Sequence, residues 1–175
     1  DLAGAYCAMG RVDEAATLLE SVLNDRPDHP LALARMAWCK MQADDLDAAR
    51  DLYQRAAGLA PDRLPVWSAL AGLCLSAGDI PGAQYALDRG IGRLEAAYGK
   101  LPEAAEQFVA QFRGQQLEIW VAADELARAE QWLDERRDDL TETAWTRLVS
   151  GYASLLAGRD EHAAAEDTLR AVLDD

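Results

Sequence analysis

A period of 34 residues runs through the first half of the chain and limits its fold more sharply than any other feature. Three segments align on it without gaps. Tyr6, Gly10, Val12, Ala15, Leu19, Val22, Leu23 and Pro27 of the first are matched by Lys40, Asp44, Leu46, Ala49, Tyr53, Ala56, Ala57 and Pro61 of the second. The third carries Cys74, Gly78, Ile80, Ala83, Leu87, Gly90 and Ile91 at the same offsets and lacks the closing proline. Trp67, Leu70 and Ala71 precede the third set just as Leu33, Met36 and Ala37 precede the second. A fixed period of this length means one supersecondary unit, repeated, each copy burying its apolar face against the next.

The residue types explain the unit. Ala15, Ala49 and Ala83 are small where two helices cross closely. Gly10 and Gly78 stand where the first helix of a pair ends and a residue free to take φ > 0 is needed. Asp44 replaces glycine there and tolerates the conformation at some cost. Pro27 and Pro61 close the second helix, having no amide hydrogen with which to continue it. This pattern resembles the tetratricopeptide repeat, whose W-x2-L-G-x2-Y, A-x3-F and P signature marks a 34-residue helix–turn–helix. Over residues 1–98 the resemblance covers three regular units, the first truncated at its start. It implies an all-α fold, a right-handed α-solenoid of helix–turn–helix hairpins, about five in this chain.

The second half keeps the theme with a broken spacing. Ala83, Leu87, Ile91, Leu94 and Tyr98 form a helical stripe, so the second helix of the third unit is expected to run on to about Gly99. Leu101-Pro102 begins a new helix, proline being welcome in a first turn. Its stripe is Ala105, Phe108, Val109, Phe112, Gln116, Ile119 and Trp120, with a bend expected at Gly114. Asp124, Leu126, Ala129 and Leu133 echo a turn and second helix. Trp145, Leu148, Tyr152 and Leu155, then Ala165, Leu169, Val172 and Leu173, make a fifth pair. The alanines 15, 49, 83, 129 and 165 thus step by 34, 34, 46 and 36. Residues 99–175 are read as two irregular hairpins continuing one superhelix. The first unit begins inside a repeat and the last stops short of a closing proline, which suggests a piece of a longer array.

Composition narrows the function. The 17 Lys+Arg against 31 Asp+Glu leave a net charge of −14. Nucleic-acid affinity comes from cations neutralising phosphates, and an anionic membrane surface needs the same, so both partners are disfavoured. No apolar run approaches the roughly 18 residues of a membrane span, so membrane insertion is not expected. Cys7, Cys39 and Cys74 show no C-x-x-C spacing and no nearby histidine, so no metal site or disulfide framework is indicated. Such buried, reduced thiols suit the cytoplasm and are also compatible with a periplasm. Arg outnumbers Lys 15 to 2, which hints at a GC-rich bacterial genome. Gly90 and Gly92 lack the strand and third glycine of a phosphate loop. No Ser–His–Asp set or carboxylate pair forms a catalytic pattern, and no catalytic residue, cofactor or metal ligand is assigned. His29 and His162 read as solvated turn residues, and Asp44-Asp45, Asp138-Asp139 and Asp174-Asp175 as surface or helix-start charge.

In the repeat family that the chain resembles, the first helix of each pair lines a concave wall that holds partners. The matching positions here are Gly4, Cys7 and Ala8; then Leu31, Ala34, Trp38, Met41 and Gln42; then Pro65, Ser68, Gly72, Leu75 and Ser76. Members that clamp the carboxylate tail of chaperones carry Lys, Asn and Arg on this wall. Ala34, Trp38, Ser68 and Gly72 stand there instead, which disfavours that ligand. The resemblance therefore implies a non-catalytic scaffold that binds a partner protein or peptide. Burial would centre on Leu31, Trp38, Met41 and Leu75, with Gln42, Ser68 and Ser76 fixing orientation, and self-association is also compatible. A rival expectation makes the chain the substrate-recruiting part of a larger multidomain enzyme, such as a glycosyl- or sulfotransferase. Another makes it a structural assembly or polysaccharide-export scaffold. Lys40, where neighbouring units place Tyr6 and Cys74, is expected to lay its methylenes on the core with its amine in water.

Overall fold

The computed structural model describes residues 2–98, 106–138 and 140–173. Ten helices are seen among them and no strand: α1 Leu2–Ala8, α2 Val12–Asp25, α3 Pro30–Gln42, α4 Leu46–Leu59, α5 Leu64–Ser76, α6 Ile80–Tyr98, α7 Glu106–Ala122, α8 Leu126–Arg136, α9 Glu142–Ala157 and α10 His162–Leu173. They gather into two compact units, α1–α6 and α7–α10. The Leu101-Pro102 start, Ala105, Gly99, Asp139 and Asp174-Asp175 lie outside the described residues. The same holds for the side chains of Leu94, Tyr98, Phe108, Val109, Val172 and Leu173.

Every first helix ends in the same turn. Gly10, Asp44, Gly78, Asp124 and Asp160 take left-handed φ values of 70°, 60°, 73°, 63° and 64°. The next residue's N–H reaches back to a carbonyl five positions earlier. Arg11 donates to Tyr6 at 2.9 Å, Asp45 to Lys40 at 2.9 Å, Asp79 to Cys74 at 2.8 Å, Glu125 to Trp120 at 2.8 Å and Glu161 to Leu156 at 3.1 Å. This is the Schellman closure, which satisfies carbonyls that the helix end would otherwise orphan. Five residues after each left-handed position stands an anchoring alanine. Ala15, Ala49, Ala83 and Ala129 are fully buried and Ala165 is 6% exposed. The wide third step goes into longer helices, α6 at 19 residues against 14 in α4, and α7 at 17 against 13 in α5. α7 runs through Gly114 as one continuous helix.

Side chains cap the starts of α3, α4, α6 and α9. Asp45 Oδ1 accepts from Ala48 N–H at 3.4 Å, Asp79 Oδ1 from Gly82 at 3.0 Å and Thr141 Oγ1 from Ala144 at 3.3 Å. His29 Nδ1 accepts from Ala32 N–H at 3.3 Å, so this histidine caps α3 and is no idle turn residue. Caps of this kind contribute about 1 kcal/mol each. Between hairpins, Trp67 Nε1 donates to the Pro61 carbonyl at 2.8 Å, and Arg50 faces Asp79 at 3.4 Å. Arg55 reaches both the Pro27 carbonyl and Asp28. In the second unit Leu117, Trp120, Val121, Ala129, Leu133, Leu148, Tyr152 and Leu156 form the core, with Trp120 edge-on to Trp132. Arg159 donates to the Val121 carbonyl and to Asp124, tying the fifth turn to the fourth.

Candidate partner-binding groove

In the first unit α1, α3 and α5 share one face because a buried stripe pins the opposite side of each. Ala3 holds α1; Ala32, Leu33, Met36, Ala37 and Cys39 hold α3. Across that face opens a groove of about 540 Å³, lined by Cys7, Ala8, Leu31, Ala34, Arg35, Trp38, Tyr53, Arg63, Pro65, Val66 and Ala69. Trp38 packs against the core made by Ala3, Leu19, Met36 and Cys39 and also lines the opening.

Six expected wall residues therefore come together: Cys7, Ala8, Leu31, Ala34, Trp38 and Pro65. Met41, Gln42, Gly72, Leu75 and Ser76 do not line this groove. Met41, Gly72 and Leu75 are half-buried and Gln42 is exposed. Ser76 Oγ donates to its own helix at Leu73 O, 2.8 Å away. Ser68 corrects the sequence reading: it is 3% exposed, so its hydroxyl cannot orient a partner on the surface. The reason lies in α5, where Ser68 falls on the wide buried side with Leu64, Trp67, Leu70, Ala71 and Cys74, while the side that stays open carries Pro65, Ala69, Gly72, Leu75 and Ser76.

Sequence reasoning missed Arg35, Arg63, Tyr53, Val66 and Ala69. Arg63 precedes α5 and lies outside the wall's helical register, while Tyr53 comes up from the second helix α4. At Gly4 an added Cβ would sit 2.5 Å from Arg35 Nη2, so the guanidinium lies over the glycine. Burial, then the neighbouring Cys7 thiol, pushes the Cys39 thiol up to about 11. Burial also lifts the Tyr53 hydroxyl to about 12. Neither group is ionised near neutral pH, and the groove floor is uncharged. Lys40 places Nζ 3.6 Å from Asp45 Oδ2 with both side chains more than 40% exposed, so it brings no buried charge.

Two further clefts differ in kind. One, between α4 and α6, includes Pro61, Trp67, Tyr85, Arg89 and Arg93. The other, between α7 and α9 of the second unit, holds both Glu118 and Arg147. Desolvation raises the Glu118 carboxyl. Among the described residues no group of three or more His, Cys, Asp or Glu is placed to hold a metal, and no helix is long and apolar enough to cross a membrane.

Tetratricopeptide-repeat profiles match residues 1–29 and 40–98, which together make up half of the chain. The chain belongs to the tetratricopeptide repeat family. As in other tetratricopeptide repeat proteins, its fold is all-α and of the α-solenoid class. A tetratricopeptide repeat protein from Parabacteroides merdae is similar over 99% of this chain, at 14% identity and a TM-score of 0.72. The chain spans 62% of that protein's length. A set of nearly identical TPR-like repeats from Podosopora anserina, named for kinesin light chain, has a TM-score of 0.73 at 16% identity, with 99% of this chain and 90% of that one covered. MamA MSR-1 has a TM-score of 0.61 at 16% identity, over 99% and 92%. No curated protein matches the chain. At these identities the likeness is one of fold, and such repeats serve protein interaction.

Proposed function

We propose that the chain is a non-catalytic scaffold that seats a segment of a partner protein on the face of α1, α3 and α5. Trp38 carries the reading, being anchored in the core and at the same time lining an open, mostly apolar groove. Leu31, Ala34, Val66 and Ala69 surround it. An amphipathic helix or extended segment with one bulky apolar side chain suits such a lining. The remaining expected wall positions of α3 and α5, half-buried Met41, Gly72 and Leu75 with exposed Gln42 and Ser76, are taken as part of the same partner surface in this reading. The negative balance of the chain argues for a protein partner over nucleic acid.

The experiment compares capture from a cell lysate by the parent chain and by Trp38→Ala, with circular dichroism confirming that the variant folds. A central indole in an interface contributes about 2 kcal/mol, or roughly 30-fold in affinity, so the partner held by the parent is expected to be lost. Equal capture by both folded proteins contradicts the reading.

A further inference from the structure

We propose that Cys7 and Cys39 form a thiol–disulfide exchange site, at which a small-molecule disulfide entering by the groove is reduced while α1 is stapled to α3. The site stands whether or not a partner protein occupies the groove. The contact between α1 and α3 sets its register. The Arg35 guanidinium lies over Gly4, and one helical turn further along each helix stand Cys7 and Cys39. Cys7 packs on the core to which Cys39 belongs. The two thiols are within hydrogen-bonding range of one another, and the Tyr53 hydroxyl feels both. Their access differs. Cys39 is 3% exposed, whereas half-buried Cys7 lines the groove. Cys74, the third thiol, is buried with Arg50 and Asp79 as its charged neighbours.

That asymmetry orders the steps. Cys7 gives its proton to water, and its thiolate attacks one sulfur of the incoming disulfide. A bond forms between Cys7 Sγ and that sulfur, the S–S bond of the small molecule breaks, and one small thiolate leaves and is protonated. Cys39 then attacks Cys7 Sγ, and its proton passes to the second departing thiolate. Two protein thiols are oxidised to one disulfide, and one small disulfide is reduced to two thiols. Of the three cysteines, Cys7 alone lines the opening for the first step, and Cys39 is the one beside it for the second. A disulfide holds its Cα atoms about 4.4–6.8 Å apart, which requires a close approach of α1 to α3. Gly4 permits that approach, and α1, with Ala3 its only buried residue, has room to adjust. In a reducing compartment such a bond is transient, which is how a redox sensor behaves.

The full chain is incubated with glutathione disulfide, quenched with acid and mapped by mass spectrometry. Cys7→Ser, Cys39→Ala and Cys74→Ala are treated alike, with circular dichroism confirming that each folds. The parent and Cys74→Ala are expected to lose two hydrogens and to yield a peptide pair joined through Cys7 and Cys39. Cys39→Ala should stop at a glutathione adduct on Cys7, and Cys7→Ser should leave Cys39 free. The fold holds the pair together, so the exchange constant against glutathione should be at least about tenfold larger in buffer than in urea, where only a flexible chain joins them. An adduct that persists on Cys7 of the folded parent, a bridge involving Cys74, an unmodified parent, or equal constants in buffer and urea would each overturn the site.

Discussion

At the scale of single residues the turns are the most informative positions, because glycine and aspartate do the same work at unequal cost. Asp44 sits at φ 60° where Gly10 and Gly78 sit at 70° and 73°. A left-handed conformation costs an L-residue about 1–2 kcal/mol, somewhat less for aspartate, which bonds locally. Asp44→Gly is therefore expected to raise unfolding stability by up to about 1 kcal/mol, and Asp44→Val to lower it by about 1–2 kcal/mol, in urea titrations. A Val variant as stable as the parent would contradict the turn geometry. The buried acids give a pH signature. Cys39 moves from 9.0 to about 11 and Tyr53 from 10.0 to about 12, so both hold their protons more tightly folded than unfolded. Their contribution is complete below about pH 9 and is lost as pH rises from 9 to 12. The thermal midpoint should fall through that window, and Tyr53→Phe should flatten the part above pH 10. An unchanged slope in Tyr53→Phe would contradict its burial as the cause.

At the scale of helices, the small anchors set how closely paired helices cross. Ala49 is fully enclosed, with Tyr53 and Ala56 on the same buried face of α4. Ala49→Leu adds three carbons where no space exists, and overpacking of this kind costs about 1–3 kcal/mol. The loss should appear in chemical denaturation with helical circular dichroism retained at low denaturant; an unperturbed midpoint would mean that α3 and α4 cross more loosely. The helices were legible in the sequence because anchor and turn repeat in step, even across the lengthened α6 and α7. Asp124 and Asp160 share the left-handed turn although neither is glycine; Asp124 was legible as a turn residue from its distance to Ala129, while Asp160 was not singled out. What could not be read depends on neighbours far along the chain. His29 caps α3 through a nitrogen that a turn residue need not use. Ser68 is enclosed because it falls on the wide buried side of α5, whose breadth no 34-residue register encodes.

At the scale of the whole molecule the repeat family accounts for the architecture, and the wall residues carry what is specific to this chain. Six of the thirteen expected wall positions line the groove, Leu31, Ala34 and Trp38 in α3 with Cys7, Ala8 and Pro65 from the helices beside it. Arg35 and Arg63 were not, since the first is one position out of register and the second precedes its helix. Both line the groove beside Trp38, so its wall is not purely apolar. The central claim is that this face, and no other, receives the partner. The most direct measurement places a benzophenone amino acid at Ala8 on the groove or at Gln54 on α4, and compares ultraviolet crosslinking of each full chain in lysate. The account predicts a discrete protein adduct from position 8, lost in Trp38→Ala, and none from position 54. An adduct from position 54 alone, or one from position 8 that survives Trp38→Ala in the folded chain, would contradict it.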